Sequence, residues 1–201
     1  MASSPTVFRP AALMGAAGVA VGILQALLGL LLVRYVLFAR GETPADLGFR
    51  PGFQSVLESL ALTLVAYAAA LVSVMAFQGA ILAEAPTQRA RTAFLGASAP
   101  LTLVYVVVGP LFEETIVRAY LMTRLTALGV STVTVVLASA VLQAAYHTYQ
   151  GLAWALGVYL PIFLVFASYF AWRRNAVTPV LSHVTVDVVS WAALYSGVTA
   201  R

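Results

Sequence analysis

Both histidines of this 201-residue chain, His147 and His183, lie in or beside long apolar segments, as do three of its seven acids, Glu113, Glu114 and Asp187. These five residues fall within three short stretches, EETIVR, AAYHTYQG and LSHVTVD. A charge near a bilayer centre costs at least about 2.5–3.5 kcal/mol on insertion scales, so ionisable groups in such segments usually face a bundle interior or a wet cavity and mark function. The spacing lets them converge. Glu114 and Arg118 are four residues apart and share a helix face. Glu113 lies about 100° round the same helix and is free to point elsewhere. His183 and Asp187 are again four apart and form a polar stripe on a later segment, while His147 arrives from a segment between them.

Those parts suit water activation. A carboxylate can take a proton from water, and a neighbouring histidine can orient that water or donate to a leaving amine. A second histidine with a polar side chain four residues on can stabilise an oxyanion. The set could hydrolyse an amide without a serine or cysteine nucleophile. Glu113, His147 and His183 could equally hold a divalent metal such as zinc, which takes nitrogen and carboxylate ligands, although the HExxH arrangement is absent. Simpler roles exist for each group. Glu114 and Arg118 could be a structural ion pair, either histidine could bond only a carbonyl, and Asp187 could serve only to satisfy His183. Tyr146, Tyr149 and Gln150 read as interfacial anchors. Intramembrane acids with histidines also serve proton relays.

Helices must position these residues. Of the chain, 62% is hydrophobic and 9% charged, against roughly 25% charged residues in soluble domains, and the mean hydropathy is +0.95. Several apolar runs exceed the roughly 18 residues that mark a membrane-spanning helix, and they are continuous rather than alternating, which excludes a barrel. The sequence predicts an all-α polytopic transmembrane bundle of about six spans: 11–38, 54–82, 92–128, 131–146, 152–172 and 179–195. The first run is too long for a signal-peptide core and reads as a retained span. It contains a GxxxG pattern, Gly18 to Gly22, that can let helices approach closely. Gly109-Pro110 falls inside the third run, so a kinked or broken helix is expected there, with Glu113 and Glu114 just past the break.

The chain has no cysteine, which excludes disulfides, thiol nucleophiles and thiolate metal sites, and no lysine, which excludes Schiff-base chemistry. A net charge of +4 without basic runs gives no nucleic-acid footprint. Six arginines flank the odd-numbered loops and four the other side, which leans towards cytoplasmic odd loops.

Glu113-Glu114-Thr-Ile-Val-Arg118 resembles the EExxxR motif of the CPBP (Abi) family of intramembrane proteases. That family groups the type II CAAX prenyl endopeptidases with bacterial proteins of bacteriocin processing and immunity. His147 matches the histidine ending its second motif, with Gln143 where phenylalanine is usual. His183-Val-Thr-Val-Asp187 resembles the third, a histidine followed four residues later by asparagine or a related polar residue. The resemblance covers about residues 95–195. It sets residues 91–201 as a catalytic core and 1–90, with two spans, as a variable addition. It implies that Glu113 and His147 activate water, that His183 and Asp187 hold the carbonyl oxygen, and that Glu114 and Arg118 support the site. The implied partners are membrane lipids and a peptide or membrane-associated protein substrate cleaved near the membrane surface. The arginine-only, alanine- and valine-rich composition points to a bacterium and hence its cytoplasmic (inner) membrane. A non-enzymatic alternative stays open, either a proton-coupled carrier or an immunity or scaffold protein, though a carrier more often shows two related halves.

Overall fold

Apolar runs of this length leave the backbone no partner but itself in lipid. The computed structural model, which describes residues 10–83 and 97–199, is accordingly built from helices, with no strand among the described residues. They are α1 (Pro10–Ala39), α2 (Phe53–Ala83), α3 (Ala99–Ala127), α4 (Thr132–Tyr146), α5 (Leu152–Arg173) and α6 (Val177–Thr199). Five of these are long and apolar enough to cross a membrane. Residues 84–96, with most of the loop AEAPTQRAR and the start of the expected third span, lie outside the described residues.

Two expectations are refined. The fourth segment is a helix where expected, but its 15 residues reach only about 22 Å, short of the roughly 30 Å hydrocarbon core. A helix that short ends within a bundle of longer ones, and the 3₁₀ turn His147–Gln150 that follows begins on a buried histidine. The third segment is not interrupted at Gly109-Pro110. Pro110 lies inside the α-helical part, Ala99–Glu114, and the irregularity comes after it as a π-helical winding over Thr115–Met122. The helix thus absorbs its disturbance by changing pitch beside the two glutamates, as π segments at functional sites often do.

The bundle closes on small residues. Ala66, Ala119, Ala140 and Ala167 have no exposed surface and let α2, α3, α4 and α5 approach their neighbours. Outward faces are apolar: Leu24, Leu28, Leu31 and Leu32 on α1 and Leu64, Leu71 and Val72 on α2 are all exposed. An apolar belt of that extent fits lipid rather than water. The protein is an integral membrane protein.

Polar bonds tie the helices at one end. Glu58 of α2 accepts from the Tyr169 hydroxyl and from Arg173 (2.8 Å), both on α5. Ser182 of α6 donates to the Ser59 carbonyl at 2.9 Å. In the first loop, Glu42 takes both terminal nitrogens of Arg124 and the Arg40 Nε at 2.9 Å. The bonds from Arg124, then Arg40, hold its carboxyl down to about 2. The backbone N–H of Ala176 donates to the Gly48 carbonyl at 2.9 Å. These contacts gather Arg40, Arg124 and Arg173 at one end of the bundle, as expected for odd loops sharing a side.

Helices α1 and α3 meet through glycines seven residues apart opposite rings seven apart. A Cβ on Gly22 would stand 2.7 Å from the Tyr105 ring, and one on Gly29 would meet the Phe112 ring still closer. Gly18, the other half of the GxxxG pattern, faces open space, so the close approach uses Gly22 and Gly29 instead. Phe112 adjoins Glu113, which makes this contact part of the site's support. Gly29→Leu should therefore push α1 from α3 and lower the thermal midpoint in detergent by an overpacking cost of about 1–3 kcal/mol, while Gly18→Leu should leave it unchanged.

Candidate active site

Helix α3 carries the two glutamates at the end of its α-helical part, and their 100° offset sends them to different environments. Glu114 has no exposed surface, whereas Glu113 is partly exposed. The Glu114 carboxylate accepts from His183 Nδ1 at 2.9 Å and Gln143 Nε2 at 3.1 Å, and its other oxygen is 3.2 Å from Arg118 Nε. Arg118 is as fully buried; it donates to the Phe163 carbonyl at 3.3 Å and lies over the Phe163 ring, 5.0 Å from its centre. Glu114 and Arg118 are thus an ion pair, as one reading of their spacing had it, but one that also holds a histidine.

His147 follows the last residue of α4. Its Nδ1 is 2.8 Å from the carbonyl of Gln143. A carbonyl only accepts, so Nδ1 carries the hydrogen and the Nε2 lone pair is left free. Tyr159 lies against the imidazole at 4.4 Å between ring centres and Phe163 at 5.0 Å, which fixes the ring plane. His183 sits on the second turn of α6 and is buried. Its Nδ1 is taken by Glu114, and its Nε2 is 3.9 Å from Asp187 Oδ1, too far for a hydrogen bond. Glu114, rather than Asp187, therefore orients His183.

One carboxylate oxygen of Glu113 and one ring nitrogen each of His147 and His183 lie within 4.8 Å of one another, although they come from three helical segments. Glu113 and His147 open on a cavity of about 130 Å³ whose wall includes Asp187, Tyr105, Tyr159 and Trp191. Liquid water takes about 30 Å³ per molecule, so a few waters fit beside a carboxylate and an imidazole lone pair. The five residues singled out from the sequence are thereby brought to one place, with Asp187 at the cavity wall and Glu114 sealed behind it.

The donor set also suits a metal. One carboxylate and two imidazoles are the three protein ligands of a common catalytic zinc site, with a fourth position left for water. Bonds of about 2.0–2.2 Å would draw the three side chains closer than their 4.8 Å span.

Sequence reasoning gave no site role to Gln143, Tyr149 or Gln150. Gln143 donates from one nitrogen to Glu113 (3.0 Å) and Glu114 (3.1 Å). The signal was a carboxamide in an apolar span, one turn before a histidine. Tyr149 and Gln150, read as anchors, line the cavity, and Tyr159 donates to Gln150 Oε1 at 2.7 Å. Only a contact between α5 and the 3₁₀ turn reveals this, and no local pattern encodes it.

Residues 95–189 match the family model described as Type II CAAX prenyl endopeptidase Rce1-like. No curated protein and no solved structure matches the chain. The matched span contains every residue of the constellation, from Glu113 to Asp187, and it is the family that the three motifs resemble. Residues 95–189 are therefore similar to a type II CAAX prenyl endopeptidase (Rce1-like) domain, in agreement with the resemblance of the three motifs to the CPBP family of membrane proteases.

Proposed function

We propose that the protein is an intramembrane endopeptidase that hydrolyses a peptide bond near the membrane surface, in a bacterial cytoplasmic membrane. The observation that carries this reading is the meeting of Glu113, His147 and His183 within 4.8 Å beside a cavity with room for water. Glu113 takes a proton from water as its oxygen attacks the substrate carbonyl carbon. His147, whose Nε2 lone pair faces the same space, holds the second hydrogen of that water. His183, doubly protonated, gives Nδ1–H to Glu114 and presents Nε2–H to the carbonyl oxygen as it gains charge. The proton on Glu113 then passes to the departing nitrogen as the C–N bond breaks, leaving a carboxylic acid and an amine. Arg118 balances Glu114 and touches no reacting atom.

A divalent metal such as zinc, held by Glu113, His147 and His183, would supply Lewis-acid polarisation and a more acidic water. Inactivation by a chelator and recovery with zinc would mark that version; chelator-resistant turnover would mark the metal-free one.

The two neighbouring glutamates should separate cleanly. Glu113→Gln should abolish cleavage of a membrane-reconstituted reporter while the thermal midpoint is kept; full turnover by this variant would overturn the assignment. Proton flux in proteoliposomes without cleavage would favour a carrier instead. Glu114→Gln leaves the guanidinium of Arg118 buried without its counter-ion, a loss of about 3–5 kcal/mol, so folded yield should fall along with activity. Asp187 separates differently. An ionised carboxylate repels a developing oxyanion, so Asp187 serves this site as a protonated donor, a task an amide performs without a proton. Asp187→Asn should therefore keep kcat/KM or raise it. An inactive but folded Asp187→Asn would remove Asp187 from the oxyanion site.

A further inference from the structure

We propose that Gln143 is a positioning residue that sets the carboxylate of Glu113 in register with the attacked water, a deepening that rests on the hydrolytic reading above. A primary amide nitrogen has two hydrogens in one plane, fixed at about 120° to each other. In this site both are used: Nε2 is 3.0 Å from Glu113 Oε2 and 3.1 Å from Glu114 Oε1. The two acids are anionic neighbours in sequence, and a shared two-pronged donor holds them at a set separation that their mutual repulsion would otherwise widen.

The support is unequal. Glu114 also has His183 and Arg118. For Glu113, Gln143 is the sole hydrogen-bonding partner among the described residues. The residue proposed to draw the proton is therefore held by a single bond, and that bond comes from a side chain buried to 1% exposure. The phenylalanine usual in the motif that this segment resembles could make neither contact. A second property makes the position informative. Gln143 holds His147 through its backbone carbonyl, so a side-chain substitution leaves the histidine's anchor in place. The two supports given by one residue can be separated experimentally.

Gln143→Met keeps the length and volume of the side chain and removes both donors. With Glu113 free to swing, kcat for reporter cleavage should fall about 10- to 100-fold, the scale of an ångström of misplacement. KM should stay as in the wild type, because nothing that binds the rest of the substrate is touched. A KM rise with kcat retained, or wild-type kcat in a folded variant, would overturn the proposal. The second arm needs no catalysis. In protein labelled with ¹⁵N-glutamine and held in detergent, the Gln143 side-chain amide is the resonance pair absent from Gln143→Met. Glu113→Gln should move one of its two protons upfield and leave the other, which remains on Glu114. If neither proton responds, the bridge is absent and the proposal fails. Should no form of the protein cleave any reporter while the proton does respond, hydrolysis is what fails and the bridge stands.

Discussion

Sealing the Glu114 carboxylate away from solvent obliges other parts of the bundle to bring it donors, and the site's geometry follows from that. Arg118 comes from the same helix one turn on, Gln143 from α4 and His183 from α6. An unpaired buried ion costs several kcal/mol, and pairing offsets this only when geometry is good and remaining lone pairs are met. Two hydrogen bonds on one oxygen of Glu114 and the Arg118 ion pair on the other supply that pairing, and they also fix where three helices stand relative to one another. His183 inherits its ring orientation from this knot, and Gln143 carries the constraint outward to Glu113. The partly exposed Glu113 is left outside this ion pair, as its proposed role in proton transfer requires.

Helices α1 and α2 lie outside the matched span, yet both touch the supports of the site. Phe112, next to Glu113, rests on Gly29 of α1. Ser59 of α2 receives the hydroxyl of Ser182, next to His183. Each of these contacts adjoins one proposed catalytic side chain in sequence without entering the cavity. Such contacts can hold a residue's backbone steady without occupying the space that its side chain faces.

What the sequence disclosed and what it hid follow from the range of each interaction. Apolar run length is a local property, so the helices fall close to their expected places, down to the boundaries near Ala39 and Phe53. Ionisable groups in apolar segments are rare enough that Glu113, His147 and His183 could be expected to converge. The partner of His183 was not legible. Four-residue spacing suggested Asp187, but the imidazole has two nitrogens, and Nδ1 meets Glu114 of another helix at 2.9 Å while Nε2 stays 3.9 Å from Asp187. The disturbance in α3 was placed at Pro110, whose missing N–H is visible in the letters. The π winding that actually carries it, Thr115–Met122, places Arg118 and Met122 in the interior, and no pattern in the letters marks it. Gln143 stood out as a departure from a motif, and its meaning required knowing that both glutamates lie within reach of one nitrogen.

Counting charge around the cavity constrains the chemistry further. In the proposed metal-free reaction Glu113, Glu114 and Asp187 bring three carboxylates, and Arg118 with a doubly protonated His183 brings two positive charges. The sum is negative before any substrate oxygen begins to gain charge, which is unfavourable in a dry bundle. In the proposed reaction a proton on Asp187 would bring the sum to neutral; a divalent cation held by Glu113, His147 and His183 would do the same, with His183 giving up its Nε2 proton to bind it. A motif ending in asparagine would need no such addition, because an amide donates while neutral. The same reasoning explains why glutamine suits position 143. It fixes Glu113 with a dipole and leaves the charge count alone, whereas an arginine there would favour the ionised carboxylate and make the proposed proton transfer to Glu113 harder.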